Sequence, residues 1–351
     1  MVGVGMAVAK NGRRVGSGRG RRRRLGLGPA EGVSDGLRRM ALEQTDLALE
    51  QVEAAEGEHA AKAVHETRKA IKRLRAIVRL LEGELGRDGC AREQTTLRTA
   101  AAHLAGARDA EVMLSTVDAL VSRSPRRLAG RTGIAKLRRH LEAERAQAER
   151  RMLEPANRIR VADELRIFRG RVLRWELAPA DGLAPVEDGL RRVYRQGRKR
   201  YRRAAGKHGG RMRTMHQWRK RVKDLRYAAE ALRRLEEQNG RALRLRGKRR
   251  KQTGAESRRL RRTASRADDL SELLGEEHDL AVLGAWLAGH GAEVGVGKGI
   301  RRRLRKLIGR RRRKLRRRAL REGKRLYRRK PGAFLRRAAR SHRAGAVLSR
   351  R

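Results

Sequence analysis

The sequence predicts an all-α fold built from two similar helical, four-helix-bundle-like halves related by an internal pseudo-twofold duplication. Three observations lead to it. Apolar residues recur at helical spacing through most of the chain, and no stretch sustains the strict alternation of a strand. Clusters of glycine and proline, such as Gly83, Gly86 and Gly89 or the run APADGLAP at 178–185, separate the periodic segments. One segment, VHETRKAIKRLRAIVRLL at 64–81, has a second copy at 216–232, HQWRKRVKDLRYAAEAL.

In chain order, residues 1–35 read as a disordered basic arm rich in Gly and Arg, with Arg21 to Arg24 as a solid run. From Gly36 a helix with Leu37, Met40, Ala41 and Leu47 on its apolar side runs to about residue 55. The first repeated segment follows, then an Ala-rich helix at 91–105, a short helix at 109–122 stopped near Pro125, and helices at 131–153 and 157–176. Residues 178–185 are the candidate linker between a first half, 36–177, and a second, 186–345. The second half opens on a basic helix at 186–205 that carries Arg195, Arg198, Lys199 and Arg202. After the second repeated segment, a polar stretch at 238–259 reads as a loop. Helices are expected near 256–274 and 278–288, then a Gly-rich loop at 289–299, an arginine-dense helix over 300–328, and a short helix past Pro331. Residues 346–351 read as a disordered tail. The run ending Gly297-Lys298-Gly299 lacks the first glycine and the Ser/Thr of a phosphate-binding loop, and reads as an ordinary turn.

The repeated segment carries the functional argument. At about 100° per residue, His65, Arg68, Lys69, Lys72, Arg75 and Arg79 share one helix face, and Ile71, Leu74, Ile77, Val78 and Leu81 the other. A shift of 216 − 65 = 151 aligns His216, Arg219, Lys220, Lys223, Leu225 and Arg226 with the first copy. Solvated helices usually mix signs, because like charges at i,i+4 cost a few tenths of a kcal/mol. A nearly pure cationic face therefore asks for an outside anion. Thr214 and Gln217 resemble a capping box, which puts His216 in the first turn, where the helix end adds positive charge. A second shared motif follows each copy: LAGARDAEVML with Arg108 and Asp109, and LLGEEHDLAVL with His278 and Asp279. Its shift, 279 − 109 = 170, leaves 170 − 151 = 19 extra residues for the 238–259 stretch. Both aspartates are expected near helix starts, as caps or as braces for a cation of the histidine helix.

Composition narrows the partner. A net charge of +54 draws in polyanions, whether nucleic acid, polyphosphate or an anionic membrane. Aromatics make up only 3% of the chain, so phosphate backbones suit it better than stacked bases. A single cysteine, Cys90, excludes an internal disulfide and a cysteine-rich zinc site. HETRK is not HExxH, and no metal ligand set or cofactor is indicated. No apolar run reaches the length of a membrane span, and the N-terminus is not patterned as a secretory signal, so a cytoplasmic protein is expected.

H-x-x-R-K-x-x-K-x-L-R twice in one helical chain, each followed by an L-x-G motif leading into D-x-x-V, resembles the CHAD domain, the conserved histidine α-helical domain, over roughly residues 36–345. Position 108 departs from a strict repeat, since Arg108 stands where the second copy has His278. The resemblance implies two helical bundles around a basic surface that binds inorganic polyphosphate without catalysis, and association with polyphosphate granules. The E-x-E-x-K motif of the triphosphate-processing CYTH domain carried by some relatives is absent. Two other readings stay open: sequence-nonspecific RNA or DNA binding, and phosphoanhydride chemistry through a phosphohistidine at His65 or His216.

Overall fold

The computed structural model describes residues 32–55, 60–104, 107–152, 154–178, 183–245 and 259–346. Among them the chain forms twelve α-helices, one short 3-10 helix and no strand. The first half supplies α1 (Val33–Glu53), α2 (Ala60–Leu80), α3 (Glu82–His103), α4 (Ala107–Arg123), α5 (Pro125–Leu128), α6 (Thr132–Met152) and α7 (Pro155–Leu173). After the 3-10 turn Ala184–Val186 come α8 (Glu187–Ala205), α9 (Met212–Leu245), α10 (Arg259–His290), α11 (Lys298–Leu326) and α12 (Pro331–Ala346).

The amphipathic pattern decides the packing. In α2 the apolar residues Ile71, Leu74, Ile77 and Val78, with Leu81 just past its end, are at most 1% exposed, and in α9 Trp218, Val222, Leu225, Ala229 and Leu232 are fully buried. Each buried Val, Leu or Ile among them contributes about 1.5–3 kcal/mol relative to an exposed one. Helix α1 packs on α2 and α7, and α3 bridges those two, which closes one four-helix bundle. A second ring joins α8, α9, α10 and α11, with α12 laid over α8 and α9. The two histidine helices, α2 and α9, touch each other, and α8 crosses the end of α2. That crossing is close: a Cβ on Gly189 would stand 2.1 Å from the Leu80 carbonyl oxygen, so only glycine fits.

The halves are not self-contained. Helices α4 and α6 leave the first bundle and pack on each other, and α4 packs on α10. Met113, Val117, Leu120, Leu137 and Leu141 join Leu280, Leu283, Leu287, Leu304 and Ile308 in a core separate from the main one.

Several boundaries differ from expectation. The two helices expected at 256–274 and 278–288 are one continuous α10, because buried Leu270, Leu274, Leu280 and Leu283 hold it straight through Gly275. The expected loop at 238–259 is helical to Leu245, and residues 246–258 lie outside the described residues. Residues 1–31 of the arm and 347–351 of the tail also lie outside them, as do 179–182 of the linker, whereas Val33 already begins α1. The helix beyond Pro331 runs 16 residues rather than being short. Helix α9 starts at Met212, with the Met215 amide donating to the Arg211 carbonyl at 3.1 Å. Thr214 is therefore inside the first turn and not its cap, and His216 sits one turn in.

Candidate functional site

The two cationic faces meet different surroundings. On α2, His65 is exposed, and Lys69 and Lys72 are partly so. The Lys69 ammonium lies 3.3 Å from Glu66 on the same helix. Further along, the face turns into the protein. Arg75 Nε donates to Gln94 Oε1 of α3 at 3.1 Å, and Gln94 Nε2 donates to the Arg75 carbonyl at 2.8 Å. Arg79 donates to the Asp224 carboxylate of α9 at 3.1 Å, with both side chains about 15% exposed, and Arg221 reaches the other carboxylate oxygen at 3.1 Å. Burial, and then Arg79 beside it, lowers Arg75 to a pKa of about 10. Burial likewise lowers Arg79, against a partly opposing pull from Asp224. Arg75 and Arg79 thus tie α2 to α3 and α9.

The face of α9 opens onto a cleft of about 410 Å³ between α9, α10 and α4. Arg219, Lys223 and Arg226 line it from α9, and Ser115, Thr116 and Arg123 from α4. The α10 wall carries Glu272, Glu276 and Asp279. These carboxylates are engaged in part: Glu276 accepts from both arms of Arg311 at 2.7 Å and from Arg123 at 2.8 Å. Burial alone would raise the Glu276 carboxyl, but Arg311 and Arg123 hold it below the ordinary range. Arg219 Nη2 stands 3.9 Å from Asp279, and Arg226 reaches Asp268 at 2.8 Å. Lys220, next to the cleft-lining Arg219, is exposed.

His278 lies mid-helix in α10, its ring centroid 4.4 Å from that of His216 and tilted by 34°. Burial, then Arg219, His216, Lys223 and Lys220, push His278 down to about 4. Burial and the same three cations lower His216, whose buried Nδ1 has no hydrogen-bond partner. Both imidazoles are accordingly neutral at pH 7. Because α10 is continuous, Asp279 is no helix cap; its place is beside Arg219. Arg108 and Asp109 fall in the first turn of α4, and their side chains lie outside the described residues.

Arg219 and Arg68, aligned in the repeated segment, meet different partners. Arg219 reaches α10, and Arg68 reaches the helix that follows α2 by donating to the Leu104 carbonyl at the end of α3. The α8 cations gather elsewhere. Arg198 and Arg202 line a cleft of about 460 Å³ with Tyr201, Lys324 and Arg328, and Arg198 Nε donates to the Tyr327 carbonyl at 3.2 Å. Arg195 and Lys199 are exposed, and neither lines either cleft.

Sequence reasoning missed Arg123, Glu276 and Arg311. Glu276 stands within the second motif, but its partners come from α4 and α11, which no local pattern links to it. Among the described residues no group of three or more His, Cys, Asp or Glu could hold a metal, and no helix is long and apolar enough to cross a membrane. A family model described as the CHAD domain matches residues 39–288. Comparison with curated proteins returns no match.

Proposed function

The chain belongs to the CHAD-domain family, and from that premise we propose that it binds inorganic polyphosphate without catalysis, through the outward parts of its two histidine helices, and that it associates with polyphosphate granules in the cytoplasm. The observation that carries the reading is cationic crowding on α9. Arg219, Lys220 and Lys223 stand together on one face of α9 beside two tilted imidazoles, and their charge adds to burial, the larger cause, in lowering both rings. A polymer with a charge on every unit and no sequence to read needs a track of cations rather than a pocket of directional donors. Arginine offers a planar fork to phosphate oxygens and lysine a compact charge. His65, Lys69 and Lys72 extend the track along α2. Arg75 and Arg79, engaged between helices, serve the scaffold. Asp279 braces Arg219 and carries no chemistry.

Calorimetric titration with long-chain polyphosphate, in competition with duplex DNA and structured RNA at about 0.15–0.3 M salt, tests this, because all such binding weakens with salt. The comparison protein combines His65→Ala, Lys69→Ala and Lys72→Ala with His216→Ala, Lys220→Ala and Lys223→Ala. Polyphosphate should win, and the variant should stay helical and lose it. Equal competition and unchanged binding by the variant would defeat the site assignment. Release of orthophosphate from polyphosphate would point instead to phosphoanhydride chemistry.

A further inference from the structure

We propose that α11 is a second, separate polyanion surface whose partner is the backbone of double-stranded DNA, bound without regard to sequence. More than half of the 29 residues of this helix are Arg or Lys, Glu322 is its sole carboxylate, and it has no Phe, Trp or Tyr. It lies beyond residue 288, where the family match ends. Its buried side is narrow: Leu304, Ile308, Leu315, Ala319 and Leu326 fall between about 200° and 260° from Arg302 on the helical wheel.

The opposite side is a broad cationic strip. Arg302, Lys306 and Arg313 occupy about 0–40°, and Arg303, Arg310 and Lys314 about 80–120°; all six are exposed. Among the described residues none of the six is ion-paired. Glu276 and Glu277 of α10 are taken by cations on other flanks of α11, Arg311 on Glu276 and Arg312 and Arg316 on Glu277. Arg302, Lys306, Arg310 and Lys314 moreover form an unbroken i,i+4 ladder of like charge, a spacing that costs stability at each step unless an outside anion neutralises it.

The breadth of the strip selects the partner. A 120° sector of a helix about 11 Å across is roughly 11 Å wide, and the six residues span about 18 Å along the axis. One thin polyphosphate chain would cover a single row of cations. The two rows, centred about 80° apart and so roughly 8 Å around that helix, splay their long side chains toward the two phosphate strands that flank the B-form major groove, about 12 Å wide. The narrow, deep major groove of A-form RNA does not admit side chains in this way. The lack of aromatics excludes base stacking and makes the contact one of charge alone.

The test is fluorescence anisotropy of the full chain with a labelled random-sequence duplex of about 25 base pairs at several salt concentrations. Wild-type protein is compared with a variant in which Arg302, Arg303, Lys306, Arg310, Arg313 and Lys314 are all replaced by glutamine, a good helix former at exposed positions. The variant should bind duplex at least tenfold more weakly at 0.15 M salt. Its plot of log affinity against log salt should be shallower by up to about 5, at ~0.9 for each phosphate no longer neutralised. Its polyphosphate binding, read on the same protein, should persist. Unchanged duplex affinity and salt slope would overturn the proposal, as would loss of polyphosphate binding with duplex binding intact. Variants of either row of three, which perturb α11 less, should each give about half the change in slope, and an unchanged slope in both would equally overturn it.

Discussion

Replacing His278 by glutamine should flatten part of the pH dependence of stability. In the folded protein His278 is held at about 4, against an ordinary histidine value of 6.5. As pH falls below about 6.5 the unfolded chain takes up a proton that the folded chain refuses. Stability at this site is therefore fully present above 6.5, falls between 6.5 and about 4, and changes no further below that. The gap of 6.5 − 4 = 2.5 corresponds to about 3.4 kcal/mol at ~1.36 kcal/mol per tenfold. Partial exposure of the ring to solvent reduces this to about 1–2 kcal/mol. Urea unfolding at pH 7.5 and pH 4.5 supplies the measurement. The wild-type loss between the two pH values should exceed that of His278→Gln by about 1–2 kcal/mol. Equal losses would mean that the ring is not held neutral by burial and by Arg219, His216 and the neighbouring lysines.

Further expectations concern the scaffold and the site. Glu277 is 1% exposed and accepts from Arg312 at 3.0 Å and Arg316 at 2.8 Å, so Glu277→Gln should cost about 3 kcal/mol by chemical unfolding, the low end for a broken buried pair because both arginines reach water. Gly189→Ala forces a Cβ against the Arg79 and Leu80 carbonyls, and a drop of about 2 kcal/mol or more is expected, since only a shift of α8 relieves it. Arg79→Met should lose about 1.5 kcal/mol, with Arg221 still on Asp224, while leaving polyphosphate affinity within twofold; a tenfold fall would make Arg79 a ligand contact after all. Polyphosphate near His216 and His278 should raise both from their depressed values, so binding takes up protons and tightens as pH falls below 7. Titration in two buffers of different ionisation enthalpy measures that uptake directly.

The helices were legible because burial enforces a period that the sequence displays. Ile71 to Leu81 and Trp218 to Leu232 face inward as the spacing predicts. The continuity of α10 was hidden, because the glycine at 275 reads as a stop while the leucines that override it act through distant helices. The cationic face could be found but not divided. Lys72 and Arg79 look alike in a wheel projection, and only the approach of α9, with Asp224 at the right turn, draws Arg79 inward. The α9–α10–α4 cleft was out of reach for the same reason: Arg123 meets Glu276 across 153 residues of chain.

The long reach of α4 and α6 has a consequence for how the chain is made. Val117, Leu120, Leu137 and Leu141 are buried with Leu280, Leu283, Leu287 and Ile308, and Leu280 is translated 280 − 141 = 139 residues after Leu141. At about 5–20 residues per second, the ribosome leaves that apolar face without its partner helices for roughly 7–28 s. Throughout that interval the nascent chain is a substrate for holdase chaperones, and a stall before α10 should yield aggregates even though every helix of the first bundle has already emerged.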